Sequence, residues 1–121
     1  MNVSVASLAK TPSQIDLLLR KAMLSKLAKL KNARLTIADP LGESVLGTSS
    51  FDGLSARIEV FDLSFYRHVS LGGSIGAAES YMDRLWQADD LTRVIQILVR
   101  NRDLLDKMEG GLAMFANQLL K

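Results

Sequence analysis

The sequence contains no cysteine and only one histidine, His68, among its 121 residues. Without cysteine the chain can form no disulfide, no thiolate zinc site and no cysteine nucleophile, and a reducing cytoplasm is the compartment that this composition favours. A single histidine cannot form a histidine metal cluster. We expect His68 to have a structural role, either partly buried or at the surface.

Long apolar runs are absent as well. No run approaches the roughly 18–20 residues that a membrane-spanning helix needs, and the opening MNVSVASLAKTPSQ lacks the charged start and apolar stretch of a secretory signal. We therefore expect a cytoplasmic chain, with peripheral association at the inner face of the membrane as the alternative. The length, with 48% hydrophobic and 23% charged residues, predicts one globular domain over residues 1–121.

The basic residues are concentrated near the N-terminus. The first 34 residues carry seven basic residues and one acidic residue, a net charge of +6, whereas the remainder carries eight basic and twelve acidic residues, a net charge of −4. This asymmetry indicates an anionic partner. A merely solvated basic face is the alternative.

Aromatic residues make up only 6% of the chain, and none lies between the basic residues of the N-terminal part. Nucleic acid is therefore a disfavoured partner, because base stacking would need interleaved aromatic rings. An anionic lipid surface is favoured instead. The candidate lipid-contacting residues are Arg20, Lys21, Lys26, Lys29 and Lys31.

The first predicted element is a basic amphipathic helix over residues 11–32. Thr11 is a candidate N-cap, with Pro12 at the first helical position and Gln14 as its capping-box partner. Apolar residues then recur at helical spacing from Ile15 to Leu30.

The predicted fold class is α+β. ARLTIAD, ESVLGTS and SARIEVFD predict a three-stranded antiparallel meander over residues 34–61. Residues 62–121 read as mainly helical, with a short strand near residues 84–87 and a long helix from Asp89 or Asp90 to about Met108. Gly110 and Gly111 separate this helix from a last one. The expected architecture is a small antiparallel sheet covered by helices.

The stretch LGGSIG, residues 71–76, contains three glycines. It follows a predicted helix, matches no phosphate-loop spacing and has no lysine beside it, so a nucleotide cradle is disfavoured. We expect a corner between two helices, in which Gly72 and Gly73 allow positive φ and Gly76 permits close packing.

No catalytic, cofactor-binding or metal-binding residue is predicted. Glu79 and Asp83 lie one helical turn apart, but no further ligand lies near them in the sequence and Arg84 is an available ion-pair partner. Ser74 has no adjacent base, and no serine lies in a nucleophile elbow. The sequence therefore argues against autonomous catalysis.

The run FYRHVSLGGSIGAAESYMDRLWQADDLTRVIQILVRNRDLL resembles the N-terminal region of cyclopropane-fatty-acyl-phospholipid synthases. In that family a run of the form G-S-[LI]-G-x-x-E-[SA]-Y-M-D precedes a tryptophan and an acidic pair. The similarity covers roughly residues 34–111. Arg84 departs from it, because the family usually has glycine at that place.

The resemblance implies that this chain alone is not an enzyme. In the family, methylene transfer from S-adenosylmethionine to the double bond of a phospholipid acyl chain belongs to a following methyltransferase domain. The chain is expected to end before that domain, so we expect S-adenosylmethionine only there and no cofactor here. The order of elements is also similar to the sterol carrier protein fold, which can leave an apolar cavity for an acyl chain or a sterol.

The predicted function is that of a noncatalytic module that engages phospholipid or an anionic membrane surface and docks on a methyltransferase domain. A stand-alone sterol-carrier-like lipid-binding protein and a structural docking or dimerisation module, such as a homodimer, are the alternatives. Tyr81 and Trp86 are interpreted as core anchors or as the edge of a pocket. The candidate domain-contact residues in the last predicted helix are Leu112, Phe115 and Leu119.

Overall fold

The computed structural model describes residues 13–106 and confirms the α+β class. A helix precedes a hairpin, a third strand, a long bent helix, a short fourth strand and a further helix. The elements are α1 (Gln14–Leu27), β1 (Ala33–Asp39), β2 (Gly42–Thr48), β3 (Ser55–Val60), α2 (Ser64–Met82), β4 (Trp86–Ala88) and α3 (Leu91–Arg100).

Helix α1 is shorter than the predicted 11–32. Its N-cap is Ser13, whose hydroxyl accepts a hydrogen bond from the backbone N–H of Asp16 at 3.0 Å. The expected cap and first residue, Thr11 and Pro12, lie outside the described residues. The helix ends at Leu27, and the chain then turns through Asn32, whose φ is +54°. Apolar periodicity ran on to Leu30 because that side chain enters the core from the turn.

The sheet is mixed rather than wholly antiparallel, with the strand order β2-β1-β3-β4. Strands β1 and β2 form the predicted hairpin, but β3 lies parallel to β1, with Ile37 opposite Ile58. Residues 49–54 cross the end of β1, where the Arg34 N–H donates to the Leu54 carbonyl at 3.1 Å. The antiparallel prediction was wrong for this pair, because alternation fixes the buried face of a strand but not its neighbour.

One face of the sheet is apolar and the other polar. Leu35 and Ile37 of β1 and Ile58 of β3 are buried together with residues of all three helices. The intervening residues include Arg57, which forms an ion pair with Glu43 at 3.0 Å. The helices therefore cover the apolar face, as predicted.

Helix α2 contains the predicted corner. Gly73 has φ +57° and ψ −134°, values that glycine adopts without steric cost, and they interrupt the helix. A Cβ at Gly76 would overlap the carbonyl oxygen of His68, so the second half of the helix packs against the first without room for a side chain. Gly72, by contrast, does not have the positive φ that we expected.

The segment after α2 forms the predicted short strand, at Trp86–Ala88 rather than 84–87, antiparallel to β3. Arg84 adopts a left-handed φ of +62° just after the helix ends, a position where helices usually carry glycine. The turn after α2 is therefore formed by a non-glycine residue in the left-handed conformation.

Helix α3 begins as predicted and ends early. Asp90 is its N-cap and accepts a hydrogen bond from the Arg93 N–H at 3.2 Å. The helix ends at Arg100. The side-chain amide of Asn101 then makes three hydrogen bonds: it accepts from the Lys31 N–H and donates to the carbonyls of Lys31 and Ile97. Helical geometry resumes over residues 102–106, so the expected single helix to Met108 is broken at Asn101. Gly110, Gly111 and the last predicted helix lie outside the described residues.

Candidate functional site

An apolar cavity of about 520 Å³ lies between the sheet and the helices. This volume is in the range of small-molecule binding sites, about 300–1,000 Å³. Its walls come from six of the seven elements and from Leu105. The lining residues are Met23, Leu27, Leu35, Ile37, Ile58, Phe65, Val69, Ser70, Leu71, Gly72, Gly73, Ser74, Ile75, Ala77, Trp86, Val94, Leu98 and Leu105.

The lining residues that the structure describes include no ionisable side chain. Its polar side-chain groups are two serine hydroxyls and the indole N–H of Trp86, and all other lining side chains are hydrocarbon, thioether or glycine. A charged group inside the cavity would lose its hydration without gaining a charged partner, which is costly. The cavity is therefore suited to hydrocarbon.

Trp86 belongs both to the core and to the cavity wall. It is 7% exposed, and its indole N–H donates to the Ala77 carbonyl at 3.0 Å and to the Ser80 hydroxyl at 3.1 Å. Its ring meets Phe65 edge-on, with centroids 5.9 Å apart, and Tyr81 at 5.0 Å. These contacts fix the orientation of the ring. Tyr81 is outside the lining and 41% exposed.

The glycine corner of α2 forms the rim of the cavity. Leu71 and Ile75 flank Gly72 and Gly73, line the cavity and yet are 46% and 71% exposed. Large apolar side chains that face both the cavity and solvent mark its mouth. The sequence predicted the corner, but not that it opens onto a cavity.

No family model, curated protein or solved structure matches this chain. The resemblances to cyclopropane fatty acid synthases and to sterol carrier proteins therefore stay predictions.

A buried polar cluster joins α1, β1 and α2. The carboxylate of Asp39 accepts hydrogen bonds from Arg20 Nε at 2.6 Å, from the Tyr66 hydroxyl at 2.6 Å and from the backbone N–H groups of Leu41 and Gly42. Burial alone would raise the pKa of Asp39, but the bonds from Arg20 and Tyr66 outweigh it and hold that pKa below its usual value. Burial and the Asp39 carboxylate raise the pKa of Tyr66.

None of Arg20, Asp39 and Tyr66 lines the cavity, so the cluster is a structural brace. Arg20 is one of the predicted lipid contacts, but its guanidinium is paired with Asp39 and its side chain is only 21% exposed. The other four predicted contacts are exposed, and no ion pair found within residues 13–106 involves them. They are Lys21, Lys26, Lys29 and Lys31.

The remaining sequence candidates do not converge. His68, Glu79 and Asp83 are all exposed, and Asp83 is the C-cap of α2. Within residues 13–106 no group of three or more acidic or histidine side chains could hold a metal ion. Leu112, Phe115 and Leu119 lie outside the described residues. No helix of the described part of the chain is long and apolar enough to span a membrane.

Proposed function

We propose that this chain binds the acyl chain of a lipid in the apolar cavity and leaves the polar headgroup at the mouth beside Leu71 and Ile75. The observation that supports this function is the lining, which is hydrocarbon-rich and, over residues 13–106, carries no ionisable side chain. Each methylene group moved from water into such a cavity contributes about 0.8 kcal/mol. A charged headgroup finds no partner inside and stays outside.

The sequence resemblance gives this activity a setting. In a cyclopropane-fatty-acyl-phospholipid-synthase-like protein, such a module would present phospholipid to an S-adenosylmethionine-dependent methyltransferase domain and contribute no catalytic residue. A stand-alone lipid carrier would use the same cavity. The two settings differ in one measurement: a carrier moves fluorescent phospholipid between vesicles, whereas a presenting module binds lipid without transferring it.

The cavity is tested by titration with cis-parinaric acid, a fatty acid whose fluorescence rises in apolar surroundings. Val69 lines the cavity, whereas Val99 is exposed on α3 outside the lining. Val69→Phe should therefore weaken binding by placing a larger side chain in the cavity, and the same change at Val99 should not. Equal affinities for both variants, or no saturable binding to the unmodified protein, would contradict the proposal.

The exposed lysines of the first helix and the turn after it suit attraction to an anionic membrane. Each such charge near the surface contributes about 1 kcal/mol at low ionic strength. Flotation with anionic vesicles should show salt-sensitive binding that a variant with Lys21, Lys26 and Lys29 changed to Glu loses. The matched control changes the three basic residues Arg84, Arg93 and Arg102 to Glu, which removes the same charge elsewhere. If both variants lose vesicle binding equally, the binding depends on net charge alone and not on these lysines.

A docking or dimerisation module is the second candidate, because α3 carries an exposed apolar stripe. Leu91, Ile95 and Val99 recur every four residues and are 39%, 52% and 57% exposed. An exposed stripe of this kind is typical of an interaction surface. Sedimentation at increasing concentration tests it: a rising mass that Ile95→Glu abolishes would favour association, and a constant monomer mass would exclude self-association by this stripe.

A further inference from the structure

The side chain of Ser70 has a buried hydroxyl with no hydrogen-bond partner in the part of the chain that the structure describes. Ser70 lies in the first half of α2, is 5% exposed and belongs to the cavity lining. A serine within a helix can donate to the carbonyl one turn earlier, but this one does not. Buried polar groups are nearly always satisfied, so an orphaned hydroxyl in a cavity wall calls for a partner that enters the cavity.

Ser80, on the second half of the same helix, is the internal comparison. It is fully buried, donates to the Ala77 carbonyl at 3.0 Å and accepts from the indole of Trp86 at 3.1 Å, and it is outside the lining. The fold therefore satisfies the buried serine that lies away from the cavity. Of these two buried serines of α2, Ser70 is the one whose hydroxyl lacks a hydrogen bond.

The position of Ser70 restricts what the partner can be. Ser70 directly precedes Leu71, which is at the mouth, so its backbone lies near the entrance rather than at the far wall. Among the described residues no ionisable side chain lines the cavity, so a carboxylate or phosphate buried there would have no charged partner, which is costly. A serine hydroxyl can rotate to donate to, or accept from, an uncharged oxygen.

We propose that Ser70 Oγ hydrogen-bonds an uncharged oxygen at the polar end of the bound hydrocarbon chain, either an ester carbonyl or a hydroxyl. This inference rests on the proposed function, because it assigns a partner to the chain in the cavity. It predicts that acyl esters and long-chain alcohols make this bond, whereas a charged headgroup, including the carboxylate of a fatty acid, stays beyond the mouth.

The test compares three ligands that have an unsaturated chain of the same number of carbons but different oxygen groups at its end. Methyl oleate carries an ester, oleyl alcohol a hydroxyl and 1-octadecene neither, and each displaces cis-parinaric acid from the protein. Ser70→Ala should weaken binding of the ester, the alcohol or both by about two- to tenfold and leave octadecene unchanged. Ser80→Ala is the matched control, because it removes a buried hydroxyl that already has partners.

The outcomes separate the two proposals. If none of the three ligands binds the unmodified protein, the proposed function fails. If they bind but Ser70→Ala changes all three equally or none, the cavity stands and the role of Ser70 is overturned. Ser70→Cys keeps a weak donor at nearly the same volume and should give an intermediate loss. Ser70→Ala should also unfold at no lower temperature than the unmodified protein, and a clear fall would show that the hydroxyl already has a partner.

Discussion

Asp39 is the residue whose replacement should cost the most stability outside the apolar core. Its side chain is 1% exposed and accepts hydrogen bonds from Arg20, from Tyr66 and from two backbone N–H groups of the β1–β2 turn. Asp39→Asn keeps the size but removes the charge. It also places an amide NH₂ where one of the carboxylate oxygens accepts hydrogen bonds.

The magnitude follows from the burial of both partners. Removing one member of a buried ion pair costs about 3–5 kcal/mol. The Arg20 side chain is 21% exposed and regains some hydration, so we expect a loss of about 2–4 kcal/mol. For a chain of 121 residues each kcal/mol lowers the melting temperature by about 4 °C.

Urea unfolding at pH 7, followed by far-ultraviolet circular dichroism, measures this loss. The control is Asp103→Asn, the same change at an exposed aspartate, which should alter the free energy of unfolding by no more than about 0.5 kcal/mol. A variant at Asp39 that is as stable as this control would refute the reasoning, because the carboxylate would then not brace the two helices to the sheet.

Three further predictions concern pH, the corner and the turn. The pKa of Asp39 lies below its usual 3.8, so its carboxylate stabilises the fold above that pH, and this contribution is lost as the pH falls through the lowered pKa. The free energy of unfolding, measured in urea at decreasing pH, should therefore show a fall that Asp39→Asn lacks. Gly73→Ala should destabilise the chain by about 1–3 kcal/mol in urea unfolding, because its φ and ψ suit only glycine, and stability equal to the unmodified protein would contradict the bent geometry of α2. Arg84→Gly should raise the melting temperature, because it relieves about 1–2 kcal/mol of strain in the left-handed conformation and the entropic cost of glycine is smaller than that. Arg84→Val should lower the melting temperature, because a β-branched residue is more strained at this φ.

Much of the fold could be predicted from local patterns. Alternating apolar residues located the strands, the glycines of residues 71–76 located the corner, and Asp90 located the start of α3. These features depend on neighbours in the sequence. The parallel pairing of β1 with β3 does not, because the six residues that cross the end of β1 carry no signal for which edge the next strand joins.

The candidate site was much less predictable. Its wall combines residues as distant as Met23 and Leu105, and each has the periodicity of an ordinary core residue. Trp86 was predicted to be a core anchor or the edge of a pocket, because the few aromatic residues of a small fold usually serve packing. Nothing in the sequence distinguishes Ser70 from Ser80, and nothing marks Asp39 as the acceptor for Arg20. Those distinctions arise only when the helices pack on the sheet.

Trp86, the only tryptophan of the chain, lies in the cavity wall and can report directly whether an acyl chain enters the cavity. Bromine quenches indole fluorescence at contact distance, so stearic acids brominated at different carbons report where the hydrocarbon lies. We expect saturable quenching by acids brominated along the chain. Val69→Phe should weaken this quenching, and Val99→Phe should not. Quenching that fails to saturate, or that is equal in the two variants, would show that the acyl chain does not enter the cavity.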